Sequence, residues 1–471
     1  MNPMNKTIPL LVAAVATALA GCSAVVRTPY ERPVLVTPAQ WNVVSAEVPA
    51  VDDGRWWTRF DDAGLDRAID EALARNNDLA AATIRVRRAQ LQAGVAATAL
   101  APTFSAGLNS NASRDLDGGG PTARSNSASL GASYVLDLWG RLGSQRDAAV
   151  WEARASEEDL ASTRLALIGT TAGLYWQLAF LEERIAASEA SIAYAERTLA
   201  LVRTQFAAGA VSGLELSDAE QGVVNQQAAH VQLAQQREET RNAWAILFDA
   251  APDAAVPAHP HALDTREPPA VAAGLPADLL GRRPDLRAAE LRLRASLAGV
   301  DATRASWYPS ISLTAGIGSS STSLADVLKN PVGTLGAGLS LPFLNVKQRR
   351  LDIAVSQAQY EEAVVNFRQT LYRALADTAN ALAAREALAA RAVLLQQAFE
   401  AARTSERLNE VRYRAGAVPL RNWLDAQERR RSAEIALAEM QLARLDAQVT
   451  LYQALGGDAP TRQGEATADE G

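Results

Sequence analysis

One cysteine and three histidines in 471 residues leave little material for redox or metal chemistry. A lone thiol, Cys22, excludes an intramolecular disulfide. His259 and His261 sit in a Pro- and Ala-rich stretch without nearby Cys or acidic ligands, so no metal site is expected there. Aromatic residues make up only 6% of the chain, whereas alanine is abundant, which favours long helices packed closely through small side chains. A basic surplus is lacking: the net charge of -7 gives no electrostatic footprint for nucleic acid. The apolar run from Ile8 to Ala20 is too short to span a bilayer. Gly-rich phosphate loops, His-Glu-x-x-His pairs and Cys-x-x-Cys are absent, and no Gly-x-Ser-x-Gly falls at a strand-to-helix turn. The carboxylate pairs Asp52-Asp53 and Asp61-Asp62 and the run Glu157-Glu158-Asp159 have neighbours on different helix faces and read as solvated surface. The chain is not expected to be an enzyme or to need a cofactor.

What is present begins with an export signal. Lys6 precedes the apolar run, which ends in Leu19-Ala20-Gly21-Cys22. That string resembles the lipobox of bacterial lipoproteins, which implies cleavage after residue 21 and a thioether diacylglycerol plus an N-acyl chain on Cys22. Ser23 at the next position implies sorting to the outer membrane.

An offset of 207 positions brings the chain into register with itself. Phe206-Ala-Ala-Gly209-Ala-Val falls on Tyr413-Arg-Ala-Gly416-Ala-Val, Ala101-Pro102 on Tyr308-Pro309, and Asp218-Ala219 on Asp425-Ala426. One supersecondary unit has been used twice. In each copy a polar, Ala-rich helical stretch, 61 to 100 in the first, leads to a proline and two period-2 segments around a loop, the hairpins 103–138 and 310–343. A very long helix follows, then a tight glycine turn and a returning helix. In the first copy Leu160, Leu167, Leu174 and Leu181 recur every seven residues, as in coiled coils. At about 1.5 Å per residue such a helix is roughly 100 Å long.

Strands of about ten residues suit a tilted bilayer crossing, although the alternation is weak and a soluble hairpin would read alike. Trp56-Trp57 fits either a packed helix start or a membrane-interface belt. Four strands alone cannot close a barrel, and open edges in lipid would leave backbone groups without partners. Several protomers must therefore pool their strands.

These features resemble the TolC-type outer-membrane factor family, in its lipoprotein branch serving resistance-nodulation-division efflux systems. The resemblance runs from Cys22 to about Gly456 and rests on Tyr30-Glu-Arg-Pro33, Trp56-Trp-Thr-Arg-Phe60, Gly274 to Glu290, Tyr308-Pro-Ser-Ile-Ser-Leu-Thr-Ala315, Tyr413-Arg-Ala-Gly416 and Leu424-Asp-Ala-Gln427. It implies a mainly α protein with a small β part: a homotrimeric, 12-helix α-barrel continuous with a 12-stranded transmembrane β-barrel, four strands coming from each duplicated protomer. The expected organisation is a signal peptide 1–21, an extended segment 22–60, a first repeat 61–250, an equatorial linker 251–275, a second repeat 276–457 and a disordered tail 458–471. The implied function is the exit duct of a tripartite drug or toxic-compound pump, anchored in the outer membrane of a Gram-negative bacterium and extending into the periplasm. Its implied partners are a periplasmic membrane-fusion adaptor and an inner-membrane pump. A type I protein-secretion duct and a pore-less coiled-coil scaffold are the alternatives.

The resemblance also assigns residues. Gly209 and Gly416 mark the tip turns where the adaptor docks. Asp425 corresponds to the inner member of an acidic ring, and Tyr413 to a tyrosine that latches the closed tip. Asn422 and Val418 replace an expected aspartate and arginine, and Arg421 stands beside them. A weaker or differently bonded closed state is therefore expected, with Leu420 or Trp423 adding an apolar plug. Asp218, the first-repeat equivalent of Asp425, reads either as a gate residue or as a capping carboxylate.

Overall fold

The computed structural model describes residues 26–41, 54–117, 121–260, 262–263, 266–271, 273–274 and 276–457. Cys22, His261 and the tail 458–471 lie outside them. Eight α-helices and four strands follow in chain order among the described residues. They are α1 (Ala63–Arg75), α2 (Asn77–Thr98), β1 (Thr103–Ser113), β2 (Ala123–Leu136), α3 (Arg141–Ala207) and α4 (Gly213–Leu247) in the first half. The second half has α5 (Leu279–Arg282), α6 (Pro284–Ala305), β3 (Ser310–Ser321), β4 (Val332–Ser340), α7 (Val346–Arg414) and α8 (Leu420–Ala454). No described helix is long and apolar enough to cross a membrane.

The helical stretch expected as one piece from 61 to 100 is two helices. Asn76 leaves helical geometry at φ -65°, ψ 128°. Its side chain accepts from Leu79 N at 3.1 Å, capping α2 in a way continuous helix would forbid, and donates to Leu247 O at 3.2 Å. At the start of α1, Asp62 accepts from Gly64 N and Leu65 N, and from the hydroxyl of Tyr175 at 3.1 Å.

The contacts divide the chain into two compact units. The first holds the described part of 1–35 together with Ile84–Glu158 and Ala288–Thr370. Its sheet is antiparallel throughout, in the order β1-β2-β3-β4. Register sorts every side chain to one of two faces. Phe104, Leu108, Leu130, Leu313, Ile317, Leu335 and Leu339 share one face with alanines between them. The other face carries Ser105, Asn109, Ser129, Ser133, Ser312, Thr314 and Thr334, interspersed with glycines. The apolar side chains are not covered: Leu108 is 82% and Leu335 91% exposed. An apolar band on one face and short polar groups on the other is the pattern of a lipid-facing barrel wall, and it removes the soluble-hairpin alternative. At the foot of the sheet Trp139 donates to Pro309 O at 2.6 Å and packs on Tyr308, joining the two hairpins.

Below the sheet, α2 is tied to α3 by Gln90 and Glu157 at 2.9 Å, and α3 to α6 by Glu152 and Arg292 at 3.4 Å. The segment after residue 26 runs along α6. Thr28 bonds Asp301 through its backbone N–H (2.7 Å) and hydroxyl (2.6 Å), and Arg32 meets the buried Glu290 through two nitrogens at 3.0 and 2.7 Å.

The second unit holds 36–83, Asp159–Arg287 and 371–471, as far as these are described. Its core is aromatic despite the low overall content. Trp56 and Trp57 are 2% and 1% exposed, and Trp56 stacks on Tyr452 at 4.5 Å. They are packing residues, and the membrane-belt alternative falls. Arg283 donates to the backbone carbonyls of Ala374 and Ala454 and pairs with Asp285 at 2.7 Å, so one guanidinium fastens the end of α8 to α7. The linker is held down by Trp244 on Pro257 O and Gln448 on Pro269 O.

Candidate functional site: the helical tip

The long helices α3 and α7 end in the same way. Gly209 and Gly416 adopt φ of 71° and 73°, which favours glycine because a Cβ would crowd the carbonyl. The following amides then reach back: Ala210 N to Gln205 O at 2.9 Å and Ala417 N to Arg412 O at 2.8 Å, with Gly209 N and Gly416 N bonding Phe206 O and Tyr413 O. This double bond pattern is a Schellman C-cap. The space around both glycines is open, so Gly416→Ala meets no clash and costs only backbone strain. The expected loss is about 1–2 kcal/mol, read as faster amide exchange confined to the turn.

The returning helices begin differently. Ser212 and Glu215 form a reciprocal capping box on α4, while α8 starts behind Pro419 with no side-chain cap. The bonds from Ser212 also hold the Glu215 carboxyl below its ordinary range.

Between the turns lies a small core of Leu199, Val202, Ala219, Val223, Leu420 and Trp423. Leu420 and Trp423 are 2% and 3% exposed. The expectation that either forms an apolar plug is therefore corrected. Both sit on the side of α8 that meets α3 and α4, because three-residue spacing keeps them on one helical face. Tyr413 closes this core from α7: its ring stacks on Trp423 at 5.3 Å and its hydroxyl donates to Gln205 Oε1 at 2.6 Å. Burial pushes the Tyr413 hydroxyl pKa up. Gln205 was missed from sequence, although it lies one residue from Phe206, the repeat equivalent of Tyr413. Glu406 and Arg430 add an ion pair between α7 and α8 at 2.5 Å.

Asp218, Arg421 and Asp425 come together on another surface. They line one cavity of about 560 Å³, with Tyr194, Glu428 and Arg431 among its other walls. Asp425 and Arg421 are exposed and Asp218 half-buried, and none of the three is in an ion pair among the described residues. Asp218 does not cap α4, since that place is taken by Ser212. No group of three or more His, Cys, Asp and Glu among the described residues is arranged to hold a metal.

The family model of the outer membrane efflux protein matches residues 68–245 and 275–457. The chain belongs to the outer membrane efflux protein family. Among curated relatives of this efflux protein, the pyoverdine export outer membrane protein OpmQ of Pseudomonas putida is 35% identical over 91% of this chain and 94% of its own. The toxin and drug export protein A of Aggregatibacter actinomycetemcomitans is 30% identical over 95% and 97%. Among solved structures, the open state of the Neisseria gonorrhoeae MtrE outer membrane channel superposes with a TM-score of 0.79 at 31% identity, covering 92% of this chain and 98% of that one. The protein is an outer-membrane efflux channel with the fold of the family's trimeric channels.

Proposed function

We propose that this efflux protein is the passive exit duct of a tripartite pump for small toxic molecules, with no catalysis of its own. Three copies pool four strands each, a periplasmic adaptor docks at the turns of Gly209 and Gly416, and an inner-membrane pump of the resistance-nodulation-division class drives export. The two-faced sheet with free edges at β1 and β4 carries this reading. In lipid those edges must pair with further copies, because an unpaired peptide group costs several kcal/mol. Relatives that export pyoverdine or toxins and drugs support a small-molecule cargo. Lipidation at Cys22 belongs to the same reading and accounts for the chain's one thiol.

The gate is assigned to Asp425 and Asp218, with Arg421 as the neighbouring cation and Tyr413 as a latch residue whose ring completes the apolar core around Trp423. Threefold symmetry brings three copies of each carboxylate around one axis, which attracts cations. The test is protein extracted from outer membranes, weighed in detergent and inserted into planar bilayers. A trimer with conductance is expected, and a monomer without conductance overturns the reading. Asp425→Ala lowers cation block and cation preference several-fold; an unchanged channel removes Asp425 from the gate.

A further inference from the structure

The apolar face of the sheet changes character along its length. On β2 it runs from Leu136 at the helix end through Tyr134, Ala132 and Leu130 to Ala128, about 27 Å along the strand at about 3.4 Å per residue. At a strand tilt of about 40° that is close to the height of a barrel's apolar band. Beyond Ala128 the same face turns polar, with Asn126 and then Arg124. This is the end of the sheet away from the helices, and therefore the outer-leaflet side of the membrane.

Most polar groups at that end satisfy one another. Asn126 is buried; it accepts from the Ser110 hydroxyl at 2.7 Å and donates to the carbonyls of Ser321 and Thr322. The Ser319 hydroxyl donates to Asn330 O at 2.9 Å, and Lys329 is paired with Asp326. Arg124 is left over. It is the one charged residue on this face of the four strands, it is exposed, and it is in no ion pair among the described residues. Asp115 and Asp117 of the adjoining loop do not pair with it, and Asp115 accepts the Asp117 N–H at 3.0 Å instead.

Just inside this polar zone the apolar face is dented. A cavity of about 430 Å³ is lined by Ala106, Leu108, Ala128, Leu130 and Ile317, with Leu328 of the β3–β4 loop also in its wall. Ser319, on the apolar face, lines it, whereas Ser320 and Val332, on the other face, do not. The small side chains of Ala106 and Ala128 leave the space between larger neighbours, so the barrel wall carries a trough. Arg124 lies four residues from Ala128, about 14 Å further along the strand.

Resting on the outer-membrane reading above, we propose that each copy holds one phosphorylated, multiply acylated glycolipid of the outer leaflet here, with an acyl chain in the trough and a phosphate on Arg124. A guanidinium meets phosphate through parallel N–H donors, a match that a carboxylate or hydroxyl rim would not provide. The occupant is a lipid because the trough opens toward hydrocarbon while its cation stands at the level of the headgroups. Neither part selects alone: any chain can fill an apolar trough, and an exposed arginine attracts any anion. Their separation along one strand requires both groups in a single molecule.

The test uses the full-length lipoprotein, extracted from outer membranes in detergent and weighed by native mass spectrometry after incubation with bis-phosphorylated lipid A. The wild type is expected to retain one lipid A per copy. Arg124→Gln and Ala128→Phe, which fills the trough, are each expected to retain several-fold less while staying trimeric. Ser127→Phe, the neighbour on the opposite face, is expected to retain as much as the wild type. Dephosphorylated lipid A should bind the wild type no better than the phosphorylated form binds Arg124→Gln, and neither inorganic phosphate nor phosphatidylglycerol at equal concentration should displace it. Trimers that retain no lipid A, or that retain it equally in Arg124→Gln and Ala128→Phe, overturn the site and leave the duct standing. Displacement by phosphatidylglycerol or inorganic phosphate reduces the site to a general anion contact and overturns the glycolipid assignment. A monomer without conductance in the same preparation overturns both readings.

Discussion

Trp423→Ala is expected to open the resting channel. The indole is almost fully buried and contacts both repeats, edge-on to Tyr194 of α3 and stacked on the ring of Tyr413 from α7, in one cluster with Leu199 and Val202. Removing a buried tryptophan typically costs about 3–5 kcal/mol. Here the loss falls on the small core that holds the tip of α8 against α3 and α4, so it appears first as local opening. Single-channel recordings should show larger conductance and less frequent closure, with hydrogen exchange rising around Gly416 before the aromatic core of Trp56 and Tyr452 responds. Tyr413→Phe removes only the hydroxyl bond to Gln205, keeps the stack on Trp423, and costs about 1 kcal/mol. If the two variants open the channel equally, the polar tie holds the tip. If only Trp423→Ala opens it, the apolar core does, and that is the expected result. A channel unchanged by both shows that the tip is held by contacts between copies.

The second large effect concerns adjacent residues of β1. Leu108 lies on the apolar face of the sheet and Asn109 on the polar one, both in mid-strand. Arginine at the bilayer midplane on a lipid-facing position costs about 2–4 kcal/mol in a transmembrane barrel, and a trimer carries three. Leu108→Arg should therefore cut the yield of assembled trimer in the outer membrane sharply. Asn109→Arg should assemble normally and shift ion selectivity toward anions, since its guanidinium faces the water-filled side. Trimer yield in heat-unmodified gels and reversal potentials in a salt gradient read the two. The opposite assignment, with Asn109→Arg blocking assembly, would invert the faces of the barrel.

The two faces were hardly legible before pairing was known. Between Thr103 and Ser113 only Phe104 and Leu108 are large apolar residues, and Ala106, Ser110 and Ala112 fill the remaining places on that face. A single strand of this kind carries too little contrast to be distinguished from a soluble hairpin. Stacking four such strands in register sums the contrast into a continuous band, which is a property of the sheet and not of any one strand. The long helices were legible because their signal is repeated along one chain: α3 runs for 67 residues and α7 for 69 without an internal proline, and in α3 Leu160, Leu167, Leu174 and Leu181 recur every seven residues. The break at Asn76 escaped because an asparagine cap is a weak local signal, and its second anchor, the carbonyl of Leu247, lies 171 positions away.

The tip divides in the same way. Gly209 and Gly416 could be placed on turns from sequence, since a left-handed C-cap is a local demand that glycine meets without steric cost. The family resemblance named Tyr413, Asp425 and Asp218, and the structure gathers Asp218, Arg421 and Asp425 around one cavity while giving Tyr413 its partner Gln205. What Leu420 and Trp423 do could not be read from their type, because an apolar side chain near a pore fits a plug and a core equally well. Sequence by itself determined the duplication, the helix lengths, the turns and the family, all of which depend on contacts close along the chain or on repetition. Tertiary structure alone decided which strand face meets lipid and which tip residues pack or line the cavity, since each depends on neighbours brought together from distant parts of the chain.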